Sequence, residues 1–113
     1  MMAGELNVFK TVTADITQAG AVVYTAPADY TGIILMAQMA NVTATTGTFT
    51  FSHESSDGVT VTELAKDFGV AANDSVSALT GKLVLETGQK IRVSANVDSK
   101  FKLVLSVLES ANA

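Results

Sequence analysis

Apolar and polar residues alternate along much of the chain, and a period of two predicts β-strands rather than helices. The segment TGTFTFSHE is the clearest example, because Phe49 and Phe51 alternate there with hydroxyl side chains. The segments QKIRVSAN and KFKLVLSVLE repeat this pattern. Side chains on one face of a strand share a parity, so each segment is expected to bury one face. The residues predicted to face the core are Phe49, Phe51, Ile91, Val93, Ala95, Phe101, Leu103, Leu105 and Val107.

Further strands are predicted for LNVFKTVTA, AVVYTA, residues 31–41, GVTVTELA and GKLVLETG. About eight short strands with turn residues between them are typical of an all-β sandwich or barrel. GKLVLETG and QKIRVSAN are expected to pair as a β-hairpin through a turn at Gly88. TVTELAKDFG also fits a single helical turn, because Thr60 and Glu63 have capping-box spacing. ANDSVS has the composition of a turn.

The stretch VVYTAPADYTGIILMAQMAN contains the chain's single proline, followed by an apolar run. Pro27 disfavours helix at the preceding residue, so TAPADYTG is predicted to be a turn. The run that follows contains good helix formers and is compatible with a two-turn helix. Its β-branched entry favours a strand, which would be apolar on both faces. Such a strand is either covered on both sides or lies at a subunit interface.

The composition is apolar for a chain of this size. Of the 113 residues, 16% are charged and 48% are hydrophobic, and the mean hydropathy is +0.35. Soluble domains carry roughly 25% charged residues, so the composition favours a subunit of an assembly. The net charge of −4 and the absence of a basic run argue against a nucleic-acid partner.

Other features of the sequence exclude further classes of partner. The longest apolar run, residues 33–37, is far shorter than the roughly 20 residues that span a bilayer, so no membrane partner is expected. MMAGELNVFK lacks the pattern of a signal peptide. The sequence contains no cysteine, so stability is expected to come from packing and association rather than from disulfides.

No group of residues has the pattern of an active site. His53, the single histidine, lies in FSHESSDG beside acidic and serine residues. Catalytic triads and metal sites are built from separated parts of a chain, so this segment is interpreted as a solvated loop. ANDSVS lacks the pattern of a calcium loop. We therefore predict no catalytic, cofactor-binding or metal-binding residue, no small-molecule substrate and no enzyme activity.

Two parts of the chain resemble a known class of protein. The segment YTAPADYTGIILMAQMANVTATTGTFTFSH is similar to a pattern in small β-sandwich virion proteins of tailed bacteriophages. The segments LTGKLVLETGQKIRVSAN and FKLVLSVLES are similar to late strands of the same proteins. The resemblance implies a non-enzymatic structural protein of a phage particle. It implies no functional residues.

Together these observations predict one antiparallel, jelly-roll-like β-sandwich over residues 1–113, with short arms at residues 1–6 and 109–113. The leading hypothesis is a capsid decoration or cement protein of the virion, assembled in the host cytoplasm. Its expected partners are itself, as a trimer, and the major capsid protein. The predicted subunit interface consists of Ile34, Met36, Val104 and Leu108. The predicted shell-binding arm contains Met1, Met2 and Leu6.

Two other hypotheses remain open. A neck, tail or fibre-adaptor subunit of the same particle would have the same composition and strand pattern. A small carbohydrate-binding module is the alternative from another class, and such modules stack sugars on exposed aromatic rings. Tyr24 and Tyr30 are the amphipathic rings in this sequence.

Overall fold

The computed structural model describes residues 6–112, and within that range the chain forms nine β-strands and no helix. Every predicted strand is present. The two segments for which a helix was also considered are strands. The strands are β1 (Asn7–Asp15), β2 (Ala21–Thr25), β3 (Tyr30–Asn41), β4 (Gly47–Glu54), β5 (Val61–Val70), β6 (Ser75–Ser77), β7 (Leu83–Leu85), β8 (Lys90–Ala95) and β9 (Phe101–Ala111).

The strands form two antiparallel sheets. Sheet A has the order β1-β9-β3-β6, and β7 also pairs with β3. Sheet B has the order β2-β8-β4-β5. Because β6 and β7 lie one after the other along β3, they fill one strand position, and the sandwich has eight positions. Two four-position antiparallel sheets connected in this order form a jelly roll, so the predicted fold class is confirmed.

The core lies between the two sheets and is supplied by the alternating positions that the sequence indicated. All nine residues predicted to face inward are buried, and Phe51, Ile91 and Phe101 have no exposed area. The ring of Phe49 packs edge-on against Phe101 with 5.6 Å between the ring centroids. Tilted and edge-to-face ring pairs of this kind add to the free energy gained from burial.

The predicted hairpin between GKLVLETG and QKIRVSAN is wrong. Their strands belong to different sheets, because β7 pairs with β3 and β8 pairs with β2 and β4. The turn itself forms, and the amide of Gln89 donates to the carbonyl of Glu86 at 2.9 Å. The amide of Gly88 then donates to the carbonyl of Ala26 at 2.9 Å. The turn therefore connects the two sheets, and its backbone is hydrogen-bonded to the loop that follows β2.

Strand structure is also present in a segment predicted as a turn and in the segment predicted as the C-terminal arm. Part of ANDSVS forms β6, which pairs with β3 through Val76 and its two neighbours. The predicted C-terminal arm, residues 109–113, is strand as far as Ala111, because β9 pairs with β1 and β3 to its end. Beyond β9, the amide of Asn112 donates to the carbonyl of Asp29 at 2.9 Å. Residues 109–112 are thus bonded to the sandwich.

Phe51→Ala tests the core. We expect a loss of roughly 3 to 5 kcal/mol in the free energy of unfolding, because a fully buried ring is replaced by a cavity. The control is Val59→Ala, since Val59 lies in the loop before β5, away from the outer face of sheet A, and is 79% exposed, so its truncation should change stability by less than about 0.5 kcal/mol. Urea unfolding of both variants provides the measurement. A loss below about 1 kcal/mol for Phe51→Ala would show that the core is assigned wrongly.

Candidate assembly surface

A β-bulge in β3 decides which of its side chains face outward. Ile34 pairs with Val107 of β9, whereas Met36 pairs with the next residue, Ser106, so Leu35 is an extra residue in the ladder. A bulge of this kind leaves one residue unpaired and changes the phase of the alternation. Even-numbered residues face the core before the bulge and odd-numbered residues face it afterwards. Ile34 and Ala37 are therefore both fully buried.

The outer face of sheet A carries a continuous row of apolar side chains. Strand pairing places Phe9 opposite Leu108, Leu108 opposite Ile33, and Ile33 opposite Val84. Directly paired residues lie on the same face of a sheet, so these four residues cross it from β1 to β7. We call them the apolar row. Phe9 and Val84, at its two ends, are 75% and 56% exposed.

The bulge widens this apolar surface. Leu35 borders a shallow groove that Phe9 and Thr11 also line. Met36, the next residue, is 38% exposed. Consecutive residues of a regular strand point to opposite faces, so only the bulge lets two neighbours contribute to one side. The apolar row, Leu35 and Met36 together form one patch near the middle of the face.

The outer face of sheet A is nearly free of charge. Among its strand positions within residues 6–112, the charged residues are Asp15 and Lys102. They neutralise each other at one end of the face, with 2.7 Å between the lysine nitrogen and a carboxylate oxygen. The other outward positions carry small polar and apolar side chains, including Thr13 and Ser106. Depletion of charge distinguishes the centre of protein interfaces from ordinary protein surface.

The size of this face is appropriate for a protein contact. At about 4.8 Å between strands and about 3.4 Å per residue, four strand positions of about nine residues each span roughly 19 by 31 Å. The projected area is about 600 Å², close to the roughly 800 Å² that each partner buries in an interface of standard size.

The outer face of sheet B has the opposite character. Arg92 and Lys90 lie there on β8, beside Glu54 on β4. The Nε atom of Arg92 lies 2.5 Å from Glu54 Oε1, and the ammonium group of Lys90 lies 4.0 Å from Glu54 Oε2. The Glu54 side chain is 6% exposed because these two cations and the loop after β4 cover it. The two sheets thus present one nearly uncharged face and one charged face.

The structure brings three of the four predicted interface residues together. Met36, Val104 and Leu108 all lie on the outer face of sheet A, and Leu108 belongs to the apolar row. Ile34 does not, because the bulge leaves it on the core side with no exposed area. A side chain buried in its own chain cannot contact a second folded subunit, so the assignment of Ile34 to the interface was wrong. Sequence reasoning also missed Phe9 and Val84, which the pairing of strands from distant parts of the chain places in the row.

The predicted shell-binding arm falls only partly within the described residues. Met1 and Met2 lie outside them. Leu6 lies just before β1 and is 76% exposed, and its carbonyl accepts a hydrogen bond of 2.7 Å from the amide of Ala111. The backbone of Leu6 therefore continues the ladder between β1 and β9 while its side chain points to solvent. A role in binding a shell stays a prediction.

A buried polar cluster closes the end of the sandwich where β9 terminates. Glu109 is 3% exposed and accepts a 2.6 Å hydrogen bond from the hydroxyl of Tyr24. The ammonium group of Lys10 lies 3.1 Å from the same carboxylate. Burial raises the pKa of Tyr24 above its usual range, and the hydrogen bond to Glu109 raises it further. Gly32 leaves room for the ring, because a Cβ atom there would lie 2.9 Å from the Tyr24 hydroxyl oxygen.

The residues considered for other chemistry are occupied by structural contacts. The Nε2 atom of His53 lies 3.1 Å from Oε1 of Gln89. The Ser55 hydroxyl donates to Asp57 at 2.6 Å, which lowers the pKa of that exposed carboxyl. Tyr24 is buried with its hydroxyl engaged, so its ring is not a platform for a sugar. Tyr30 is half-buried at the start of β3.

The described part of the chain lacks a metal-binding cluster, a membrane-spanning helix and unpaired buried polar groups. Within residues 6–112, no three histidine, aspartate or glutamate side chains are grouped so that they could hold a metal ion. No helix in that part is long and apolar enough to cross a bilayer. Every buried side-chain nitrogen or oxygen atom there has a hydrogen-bond partner. The described interior therefore offers no unpaired polar side-chain atom to a ligand.

Comparison with known proteins shows the fold and no family. No family model matches the sequence, and no curated protein matches it. Among solved structures, the chain is similar to a protein of the Bacillus endospore appendages, described as a family of disulfide-linked pili. The TM-score is 0.57 at 16% identity, and the match covers 98% of this chain and 93% of the other.

Two viral structures show more distant likeness. A chain from infectious bursal disease virus, Gx strain, matches with a TM-score of 0.50 at 16% identity. The match covers 91% of this chain but 31% of the viral one. A pentameric capsid protein from metagenomic phage sequences matches at 16% identity over 90% of this chain and 62% of its own length. Its TM-score is 0.46. At such identities the comparisons establish only a shared β-sandwich fold.

Tyr24→Phe tests the polar cluster. At neutral pH we expect a loss of roughly 1.5 to 3 kcal/mol in the free energy of unfolding, because a buried hydrogen bond to a charged group is removed. Folding raises the pKa of Tyr24, so the stability from the protonated phenol is fully present below its unfolded pKa of about 10 and is lost as the pH rises through the folded pKa.

The wild type should therefore lose its advantage over Tyr24→Phe in alkaline solution. Urea unfolding of both proteins across a pH series provides the measurement, and other titrating groups largely cancel in the difference between them. An advantage that stays constant or grows above about pH 10 would contradict the assigned hydrogen bond.

Proposed function

We propose that this chain is a non-enzymatic structural subunit of a virion, and specifically a capsid decoration or cement protein. The observation that carries the proposal is the nearly uncharged outer face of sheet A, which the apolar row crosses from β1 to β7. In this proposal the chain associates with itself as a trimer through that face. It also binds the major capsid protein, with the segment containing Met1, Met2 and Leu6 contributing to that contact.

The difference between the two outer faces supports a fixed orientation in an assembly. The face of sheet A exposes apolar side chains such as Phe9 and Val84, and covering them with protein removes that area from water. Each square ångström of apolar surface removed from water contributes about 25 cal/mol. The face of sheet B holds the charged group of Glu54, Lys90 and Arg92, and charged groups lose hydration when they are covered. Sheet A is therefore the side that faces neighbouring subunits.

The fold likeness is compatible with this role and does not by itself assign it. The similar chains with TM-scores of at least 0.50 come from pili and from a virus. The pili are described as disulfide-linked, whereas the present sequence contains no cysteine. Contacts between copies of this sequence therefore depend on packing and hydrogen bonds. A neck, tail or fibre-adaptor subunit is the alternative within the same class, because such a protein would use the same face.

Met36→Lys tests the assembly face. A charge at Met36 would have to be buried without a partner when subunits meet, so we expect the assembled mass in light scattering to fall. The melting temperature of the dilute, dissociated chain should stay nearly unchanged, because association no longer contributes to it. The matched control is Val22→Lys, because Val22 is exposed to a similar extent, 36% against 38%, but pairs with Arg92 on the outer face of sheet B. That variant should keep the mass of the wild type.

Two outcomes would count against this assignment. If the wild type remains a monomer, self-association is wrong. If Met36→Lys and Val22→Lys reduce the mass equally, sheet A is not the contact face.

Location in the particle is tested by labelling virions with an antibody against the chain. The decoration hypothesis predicts label over the whole head shell. Label confined to the vertex, neck or tail would contradict that hypothesis and support the neck, tail or adaptor alternative. Absence of the chain from purified virions would overturn both.

A further inference from the structure

The four edges of the two sheets are not equally protected. Natural proteins protect exposed sheet edges against pairing, because the unpaired N–H and C=O groups of an edge strand can form hydrogen bonds with another chain. The β2 edge has five residues and a register shift. The β5 edge has two register shifts, and Asp67 lies there at a φ of 49°. The edge formed by β6 and β7 consists of two three-residue strands.

The β1 edge lacks these features. It is nine residues long, its ladder with β9 has no register shift, and no strand within residues 6–112 pairs with its other side. β1 contains no proline and no glycine. Among the edges that the structure describes, this is the one that still has the form of a template for a further strand.

Hydrogen bonds at both ends of β1 identify the groups that point outward. The carbonyl of Leu6 and the amide of Ile16 both bond to β9. In an antiparallel pair, a residue directs both its N–H and its C=O towards the same neighbour, and alternate residues point the other way. Even-numbered residues of β1 therefore bond to β9. The residues that direct their N–H and C=O groups to the free edge are Asn7, Phe9, Thr11, Thr13 and Asp15.

We infer that a second copy of this chain pairs with the β1 edge, antiparallel and about a two-fold axis at Thr11. In this register Thr11 lies opposite its own counterpart, Phe9 opposite Thr13, and Asn7 opposite Asp15. All outward-pointing N–H and C=O groups of both strands then find a partner. The same register pairs β1 over its whole length, which no other two-fold register does.

The side chains of β1 are self-complementary in this register. Thr–Thr pairs and pairs between an aromatic and a β-branched residue are favourable across antiparallel strands, and directly opposed like charges are unfavourable. The register provides one Thr11 pair and two Phe9–Thr13 pairs. It places Lys10 opposite Val12 and Asp15 opposite Asn7, so no like charges are opposed. This complementarity favours a second copy over an unrelated strand.

Lys10 does not block the edge. An inward-pointing charge on an edge strand is one of the devices that prevent edge pairing. The Lys10 ammonium group is instead held 3.1 Å from the carboxylate of Glu109 in its own chain. Its charge is therefore compensated without a contribution from the second copy.

The contact does not depend on the proposed function. It uses the edge of sheet A rather than its outer face, and it requires only two copies of the chain. Where both contacts form, a two-fold edge contact would join copies that belong to different trimers.

Single cysteine variants test the register, because the sequence contains no other cysteine. In Thr11→Cys, the two Cα atoms would lie about 5.5 Å apart across the axis, within the usual disulfide range of about 4.4 to 6.8 Å. In the matched control Thr13→Cys, they would be four residues apart along the strands, about 14 Å, which is beyond disulfide reach. Both threonines are exposed on the same face of β1.

After mild oxidation of the purified proteins with copper phenanthroline, we expect Thr11→Cys to become mostly a covalent dimer on a non-reducing gel. Thr13→Cys should remain monomeric on the gel. A Thr11→Cys protein that stays monomeric would overturn the inference and leave the edge to a strand from another protein. Equal crosslinking of the two variants would overturn it as well, because it indicates random collision.

The double variant Met36→Lys with Thr11→Cys separates this inference from the proposed function. If Met36→Lys abolishes association through the face, the crosslink at position 11 should persist. If Met36→Lys has no effect on assembly, the proposed face contact fails, and the crosslink still reports on the edge. Loss of the crosslink in the double variant would show that the face brings the copies together and would overturn the edge contact.

Discussion

The single extra residue in β3 is the constraint on which the surface of this protein depends. β3 lies in the interior of sheet A, between β9 on one side and β6 and β7 on the other. Without the bulge at Leu35, regular alternation from Ile34 would direct Met36 and Gln38 into the core. With it, Gln38 is outside and its amide donates to the Ser75 hydroxyl at 3.0 Å. The bulge therefore keeps a polar amide out of the core and adds two neighbouring apolar side chains to the outer face.

The consequences of this shift extend across the sheet. Because Ile33 remains outward before the bulge, it completes the row from Phe9 through Leu108 to Val84. Because Ala37 and Met39 are inward after it, the core continues without a gap. This one local irregularity thus allows the core to pack inside the sandwich and places an apolar patch on its outer surface. Bulges commonly redirect side chains in this way.

Strand content, core residues and fold class were predictable from the sequence because each depends on local alternation. Phe49, Phe51 and the inward residues of β8 and β9 keep a strict period of two, and their burial follows from it. The sequence also contains an indication of the bulge, which the assumption of simple alternation overlooked. Thr31 and Gln38 are polar residues on one strand but differ by seven positions, so both can face outward only if the phase changes once between them.

Other features depend on contacts between distant segments and could not be predicted locally. The hairpin prediction failed because the Gly88 turn has the same chemistry whether it joins two paired strands or two sheets. β6 was missed because three residues are too few to show a period. The apolar row combines β1, β3, β7 and β9, so it became visible only when the strand order was known.

The central claim is that the outer face of sheet A is covered when the chain assembles, and methionine oxidation tests it most directly. Met36 is 38% exposed in the single chain, whereas Met39 on the same strand has no exposed area. Oxidation converts the thioether of an accessible methionine to its sulfoxide, and mass spectrometry measures it at each position. We predict that Met36 is oxidised in the dissociated chain and protected in the assembly, while Met39 is protected in both. Equal oxidation of Met36 in the two states would contradict the claim.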